Sequence, residues 1–201
     1  MANAQESFLI SVDVSEGIIG ADLSSASVWN VFTWEQIAHW HGYIEPLAFG
    51  YVLRDLGCYY RWATIACETN HPGHATHAKL VELEYPKLWT DPETLEPWRT
   101  TEKSRGMAVS ALREAIKEST IKINSPYTIS ELKTFVRKKN GKLEAETGSH
   151  DDCVIEAAIA AYILKTTAFT PEVLQEIRRQ PLRELLHRTN HRRLPGKRGI
   201  V

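Results

Sequence analysis

The order of apolar and polar positions along the chain predicts a mixed α/β domain. Residues 7–14 and 26–33 have the apolar content of strands, and residues 35–42 alternate as a half-buried strand does. A short continuous apolar run at 63–68 is typical of a strand that is buried on both faces. Because the first three strands are joined by short turns and the fourth follows a helix, we expect an antiparallel first half and a parallel second half of the sheet.

Helical patterns occupy most of the chain after the third strand. The predicted helices span about 45–57, 73–85, 102–119, 128–134 and 151–168, and a last one begins at Thr170. Either Ser125 or Thr128 caps the helix at 128–134. Residues 121–123 form a short edge strand, and residues 136–145 form a hairpin, because Asn140-Gly141 is a strong turn signal.

The elements divide the chain into one folded domain and two ends. The folded domain covers residues 8–168, a flexible segment covers residues 1–7, and a helix with a basic tail covers residues 169–201. The apolar run at 154–164 is too short to span a membrane, and the N-terminus lacks the features of a secretory signal. The three cysteines have no metal-ligand or redox spacing and are interpreted as reduced thiols.

Charge is distributed unevenly along the chain. The net charge is −1, but residues 175–201 contain eight Lys or Arg against two Glu, so that the rest of the chain carries about −7. An acidic body with a basic tail fits a metal site combined with a contact to a polyanion. A solvated terminus is the simpler interpretation of the last dozen residues.

Acidic residues occur where predicted elements end or begin. Asp13 ends the first strand, Glu68 ends the strand at 63–68, and Asp151-Asp152 precede a long apolar helix. A carboxylate that ends a buried strand must be solvated, paired or bound to a cation. If the fold brings these acids together, they repel each other unless a hard cation such as Mg²⁺ or Mn²⁺ neutralises them.

Each acid also has a simpler structural interpretation. Taken singly, Asp13 fits a turn residue, Glu68 fits the start of a loop, and Asp151 fits an ordinary negative charge at a helix N-terminus. The occurrence of all three in one chain favours the metal site.

Several short blocks occur in an order that resembles a known family. The blocks are Val12-Asp13, Gly20-Ala21-Asp22-Leu23-Ser24, Glu68-Thr69-Asn70-His71-Pro72-Gly73, Trp98-Arg99-Thr100-Thr101, Glu131-Leu132-Lys133-Thr134-Phe135 and Gly148-Ser149-His150-Asp151-Asp152. Over about residues 8–164 this order resembles the nuclease domain of tailed-bacteriophage terminase large subunits. The resemblance implies a ribonuclease H-like fold and metal-dependent endonuclease cutting of concatemeric viral double-stranded DNA during genome packaging.

The resemblance also implies roles for particular residues. Asp13, Glu68 and one of Asp151 or Asp152, with Asp152 favoured, would be the catalytic metal ligands for two Mg²⁺ or Mn²⁺ ions. Asp22 would orient the site, and His150 would either lie behind the ligands or face the DNA, although a turn residue and a capping neighbour are the simpler interpretations. The implied partners are double-stranded DNA, a terminase ATPase domain, the portal and the small terminase subunit, in the host cytoplasm at the viral procapsid.

The chain departs from this family in one respect. Terminase large subunits carry an ATPase motor with a G-x-x-x-x-G-K-[ST] loop, and this sequence contains no such loop. We therefore expect the nuclease half alone, which cuts DNA but does not translocate it.

Basic residues near the hairpin and after the Trp98 block are candidates for DNA contact. They are Lys103, Arg105, Lys133, Arg137, Lys138, Lys139 and Lys142. Ordinary solvated positions explain them equally simply. Two further hypotheses for the whole chain are another nuclease of the ribonuclease H fold, such as a junction resolvase, and a non-catalytic module that docks DNA or a partner through the basic tail.

Overall fold

The structure is a computed structural model that describes residues 7–138 and 141–167. Its centre is a mixed sheet whose strands are β1 (Phe8–Asp13), β2 (Ser24–Asn30), β3 (Gln36–Gly42) and β4 (Thr64–Cys67). The strand order is β3-β2-β1-β4. β1 pairs antiparallel with β2 and parallel with β4, and β2 pairs antiparallel with β3. The predicted mixed sheet is therefore confirmed.

Five helices and a small hairpin complete the described residues. The helices are α1 (Pro46–Tyr59), α2 (Gly73–Glu82), α3 (Glu102–Lys117), α4 (Pro126–Thr134) and α5 (Asp152–Thr166), and the hairpin strands are β5 (Phe135–Arg137) and β6 (Leu143–Ala145). The side chain of Ser125 accepts a hydrogen bond from the Thr128 N–H at 3.3 Å, so Ser125 is the cap of α4. The predicted helix from Thr170 and the basic tail lie outside the described residues.

The predicted edge strand at 121–123 is wrong. Lys122 makes only an isolated bridge to Glu35. The chain leaves the sheet at this point because the N–H groups of Asn124 and Ser125 donate to the side-chain oxygen of Gln36, at 3.0 and 2.8 Å. Lys122 itself donates to the Trp34 carbonyl at 3.1 Å and accepts from the Gln36 N–H at 2.9 Å, whereas the N–H groups of Asn124 and Ser125 are satisfied by a side chain instead of a strand ladder.

Helices cover both faces of the sheet and form two cores. α3 and α5 enclose one core with Leu9 and Trp29, while α1 and α2 enclose the other with Ile10 and Val12. α5 lies between the sheet and α3, so its side chains are buried almost all round. This packing places the start of α5 beside β1. None of the described helices is both long and apolar enough to cross a bilayer.

Candidate metal centre

The carboxyl ends of β1 and β4 lie side by side and carry two acids. Val12 pairs with Cys67 in parallel register, and the N–H of Glu68 donates to the Val12 carbonyl at 3.2 Å. The next residue along each strand is Asp13 in β1 and Glu68 after β4. Glu68 is buried and Asp13 is half-buried, and their carboxyl groups are in hydrogen-bonding contact. The fold thus brings together two acids that are far apart in the sequence.

The loop after Glu68 is tied to the segment that precedes α3. The side chain of Asn70 accepts from the Thr100 N–H and donates to the Thr100 carbonyl, both at 2.7 Å. The N–H of Thr69 donates to the Trp98 carbonyl at 2.9 Å. Two sequence blocks that are separate in the chain therefore meet, and Thr69 and Asn70 join them.

Gly73 lets the start of α2 pass against the backbone of Glu68. A Cβ at position 73 would lie 2.1 Å from the Glu68 carbonyl oxygen. Because backbone atoms cannot move aside as a flexible side chain can, we expect Gly73→Ala to lower the free energy of unfolding by about 1–3 kcal/mol. Urea unfolding measures this change.

Gly106→Ala is the matched control for this substitution. Gly106 lies within α3 and has open space where a Cβ would be. Alanine favours a helix over glycine by roughly 0.5–1 kcal/mol, so this variant should gain stability. If Gly73→Ala also gained stability, the close approach of α2 to Glu68 would be refuted.

The two aspartates at the start of α5 have different neighbours. Asp152 is buried and accepts a hydrogen bond from the Leu23 N–H at 3.3 Å. Asp151 is half-buried, forms an ion pair with Arg105 at 2.6 Å, and accepts from the Ala145 N–H at 3.3 Å. Asp151 therefore connects α3 and the hairpin to the start of α5. It already has a cationic partner, whereas the partner of Asp152 is a neutral N–H group.

The pKa values of two of the acids, Asp13 and Asp152, are raised. Burial raises the pKa of Asp13 well above its ordinary value, and the charge and hydrogen bond of Glu68 and the charges of Asp152 and Asp151 raise it further. Burial likewise raises the pKa of Asp152 to about 7, although the Leu23 N–H opposes this shift. Such a group is a concentration of negative charge that a divalent cation would stabilise. The donors are all oxygen atoms, which suits Mg²⁺ or Mn²⁺.

A rim of two exposed side chains adjoins Asp152. Nδ1 of His150 lies 3.4 Å from Asp22 and 3.8 Å from Asp152. The compact groups of three donors among the described residues include Asp22, His150 and Asp152, with ligand atoms within 4.8 Å of one another. Asp13, Glu68 and Asp152 are not such a group among the described residues, so the ligand atoms of these three acids lie farther apart than 4.8 Å in at least one pair.

The raised pKa of Asp152 makes stability depend on pH when no metal is bound. Since the folded state favours protonated Asp152, this stabilisation is complete below the ordinary pKa of an aspartate and is lost as pH rises through about 7. Between about pH 5 and about pH 8, in EDTA, we expect the wild type to lose about 2–3 kcal/mol more unfolding free energy than Asp152→Asn. Urea unfolding at both pH values checks this, and an equal loss in the two proteins would contradict it.

A fully buried carboxyl group, which the sequence analysis missed, lies one helical turn further along α5. Glu156 accepts hydrogen bonds from the hydroxyl of Ser11, from the hydroxyl of Ser27 at 2.6 Å and from the indole N–H of Trp29 at 3.2 Å. Gln36 in turn donates to Ser27 at 2.7 Å. Burial raises the pKa of Glu156 to about 7, against the effect of its three hydrogen bonds. The network fixes α5 on the sheet.

The sequence does contain a signal for this network. Ser11 and Ser27 interrupt two apolar strands at positions that pair with each other, and Glu156 is the one charged residue within residues 154–164. Buried polar residues at facing positions indicate a shared hydrogen-bond network.

Removal of the Glu156 carboxyl group should destabilise the fold. Glu156→Ala leaves the buried hydroxyls of Ser11 and Ser27 without their acceptor, while the indole N–H of Trp29 keeps the Ser11 hydroxyl at 2.9 Å, so we expect a loss of about 2–4 kcal/mol. Glu156→Gln retains an acceptor oxygen and should lose less. Urea unfolding of both variants at one pH checks the order, and an alanine variant as stable as the wild type would show that the network contributes nothing.

A cleft of about 1010 Å³ opens beside Asp151 and is lined by several basic side chains. These are Arg105, Arg113, Arg137 and Lys142. Arg113 was missed by the sequence analysis, although it lies two helical turns after Arg105 on the same face of α3. Lys103, Lys133 and Lys138 are not among the lining residues, so the cleft does not support their predicted DNA contact, and Lys139 lies outside the described residues.

No family model matches the sequence. The fold, in contrast, has counterparts among solved structures. The large terminase nuclease from thermophilic phage G20c with bound magnesium is 19% identical, with a TM-score of 0.66 over 79% of this chain and 82% of that chain. The human cytomegalovirus terminase nuclease domain, manganese-soaked and inhibitor-bound, is 14% identical, with a TM-score of 0.54 over 81% and 86%. The nuclease domain of the P22 large terminase is 13% identical, with a TM-score of 0.54 over 80% and 82%.

These similarities define the fold of the chain. It is the ribonuclease H-like mixed sheet flanked by helices that terminase nuclease domains have, as predicted. At these low identities, the likeness is one of fold, and activity has to be argued from the site.

Proposed function

We propose that this chain is a nuclease of viral genome packaging, a metal-dependent endonuclease that cuts concatemeric double-stranded DNA. The observation that carries the proposal is the convergence of Asp13, Glu68 and Asp152 beside a cleft with basic side chains. Because nearby acids and burial raise the pKa of Asp13, its ionised form is destabilised, and a bound divalent cation would relieve this cost.

Within this proposal, Asp13, Glu68 and Asp152 would hold two divalent cations. Asp13 would contact both cations, Glu68 one of them, and Asp152 the other. Mg²⁺ or Mn²⁺ bound there supplies the positive charge that hydrolysis of a phosphodiester requires. Asp151 would act mainly by holding Arg105 at the wall of the cleft, since the two side chains are 2.6 Å apart.

The basic side chains of the cleft would position the DNA backbone. Arg105, Arg137 and Lys142 line the cleft that opens beside Asp151. Contacts to phosphates fix the position of a duplex but carry no sequence information, so we expect little sequence preference in cutting. The proposed partners are accordingly double-stranded DNA, a terminase ATPase domain, the portal and the small terminase subunit, at the procapsid in the host cytoplasm.

Plasmid digestion by the full chain tests the proposal. We expect nicking and linearisation of supercoiled plasmid with Mg²⁺ or Mn²⁺ and none with EDTA. Asp55→Asn is a suitable control, because Asp55 is an exposed acid of α1 that pairs with Arg54. The absence of cutting with every divalent cation would refute the nuclease, and a preference for four-way junctions over linear duplex would indicate a resolvase-like enzyme instead.

A docking module that works through the basic tail makes a different prediction. Replacing Arg178, Arg179 and Arg183 by Gln in the full chain should leave metal-dependent cutting in place if the enzyme is the correct interpretation. The docking module would be favoured if the wild type bound DNA without cutting it and the variant no longer bound DNA.

A further inference from the structure

A second group of metal-binding side chains comes from three separate elements. His41 lies on β3, Glu131 on α4 and Cys153 in the first turn of α5. A ring nitrogen of His41, a carboxylate oxygen of Glu131 and the sulfur of Cys153 all lie within 4.8 Å of one another. None of the three is one of the acids assigned to the carboxylate centre, although Cys153 directly follows Asp152 in the chain and the charge of Glu131 raises the pKa of Asp152.

Backbone hydrogen bonds hold two members of this group in place. Oε2 of Glu131 accepts from the N–H groups of Cys153 and Val154, at 2.8 and 3.2 Å, so this carboxylate caps the start of α5. Cys153 is fully buried, and its sulfur lies within 4.8 Å of the ligand atoms of Glu131 and His41. The carboxylate and the sulfur are therefore preorganised before any ion binds.

A buried ring nitrogen of His41 is a second observation, independent of the distances between the three ligand atoms. It pairs with Ser25 across the β2–β3 register, and its ring is half-buried. Nε2 of His41 is buried and has no hydrogen-bond partner within residues 7–138 and 141–167. Leaving a buried polar atom unsatisfied costs free energy, and coordination to a cation would remove that cost.

We propose that His41, Glu131 and Cys153 form a Zn²⁺ site that is separate from the carboxylate centre. A set of nitrogen, oxygen and sulfur donors suits the borderline Zn²⁺ ion, whereas an all-carboxylate set suits Mg²⁺ or Mn²⁺. Three protein ligands leave the fourth tetrahedral position for water. As the zinc–sulfur bond forms, the thiol proton is released to solvent.

This site would cross-link the edge of the sheet to the start of α5. β3, α4 and α5 each contribute one ligand, and the ligand from α5 is the neighbour of Asp152. Bound Zn²⁺ should therefore stabilise the folded state, because an ion that binds only the folded chain raises its melting temperature. The site cannot be recognised from the sequence, because its three ligands are far apart in the chain and belong to no common metal-binding motif.

Cobalt binding to the full-length reduced protein tests the proposal. Co²⁺ serves as a spectroscopic substitute for Zn²⁺, and we expect a thiolate-to-cobalt charge-transfer band that Zn²⁺ abolishes and excess Mg²⁺ does not. Cys153→Ser should lose the band, and the control Cys58→Ser, which changes a half-buried thiol of α1, should keep it. No band in the wild type, or a band that survives in Cys153→Ser, would overturn the site.

Two more variants separate this site from folding and from the proposed nuclease. His41→Gln should weaken cobalt binding at least about 10-fold, a change of about 1.4 kcal/mol, while the far-ultraviolet circular dichroism stays that of the wild type. Unchanged affinity in His41→Gln would overturn the site even if Cys153→Ser failed to fold. Asp13→Asn should keep the cobalt band whether or not the chain cuts DNA, and loss of the band there would show that the metal binds the carboxylate centre instead.

Discussion

Asp13→Asn is expected to abolish metal-dependent cutting while the protein stays folded. Asp13 is the acid of the site whose pKa is raised by the charges of all three others, Glu68, Asp152 and Asp151. Loss of the shared ligand removes several kcal/mol of transition-state stabilisation, which corresponds to a rate about 10³-fold lower. The rate of plasmid nicking in Mn²⁺ measures the effect.

The same variant separates catalysis from stability. Asparagine cannot ionise, so Asp13→Asn in EDTA should unfold at a higher temperature than the wild type above the raised pKa of Asp13. At acidic pH, where Asp13 is protonated in both states, the difference should vanish. Cutting at the wild-type rate would reject Asp13 as a ligand, and a lower melting temperature would show that its carboxylate stabilises the fold.

Asp152→Asn is expected to lose far more activity than Asp151→Asn, although the residues are adjacent. Asp152 is buried and accepts a hydrogen bond from the Leu23 N–H, with Nδ1 of His150 at 3.8 Å, whereas Asp151 is paired with Arg105. We expect a loss of about 10³-fold for Asp152→Asn and of about 10-fold or less for Asp151→Asn. Plasmid nicking rates in Mn²⁺ compare the two directly.

A double-mutant cycle gives the control for this comparison. If Asp151 acts by holding Arg105, the losses of nicking rate in Asp151→Asn and Arg105→Gln should not be additive in free energy when the two substitutions are combined. Losses that multiply in the double variant would mean that Asp151 acts independently of Arg105. A loss in Asp151→Asn as large as that in Asp152→Asn would make Asp151 a metal ligand.

The fold could be predicted where burial alone decides the structure. The apolar run at 63–68 identified β4, the apolar content of 7–14 and 26–33 identified β1 and β2, and the alternation at 35–42 identified β3. The boundaries of β2 were displaced because polar contacts set them. Asn30 accepts from the N–H groups of Phe32 and Thr33, at 2.9 and 3.2 Å, and so ends β2 before the apolar residues that follow it.

Only the part of the candidate site that the order of the strands determines could be predicted from the sequence. Parallel neighbours bring the carboxyl ends of β1 and β4 to one edge, which was sufficient to pair Asp13 with Glu68. The ion pair of Asp151 with Arg105 depends on how α3 packs against α5 and on the position of the hairpin. Side-chain packing between elements has no fixed spacing in a sequence, so the His41 group could not be found there, whereas the Glu156 network left a signal in Ser11, Ser27 and Glu156 that was missed.

The central claim is that acids from β1, β4 and α5 fold into one pocket for divalent cations. Crystals of the full chain soaked in Mn²⁺, with anomalous diffraction measured near the manganese edge, test this claim most directly. We expect manganese peaks that touch Asp13, with Glu68 and Asp152 as the other protein ligands. Manganese bound elsewhere, with none at Asp13 in a folded and fully soaked crystal, would contradict the account.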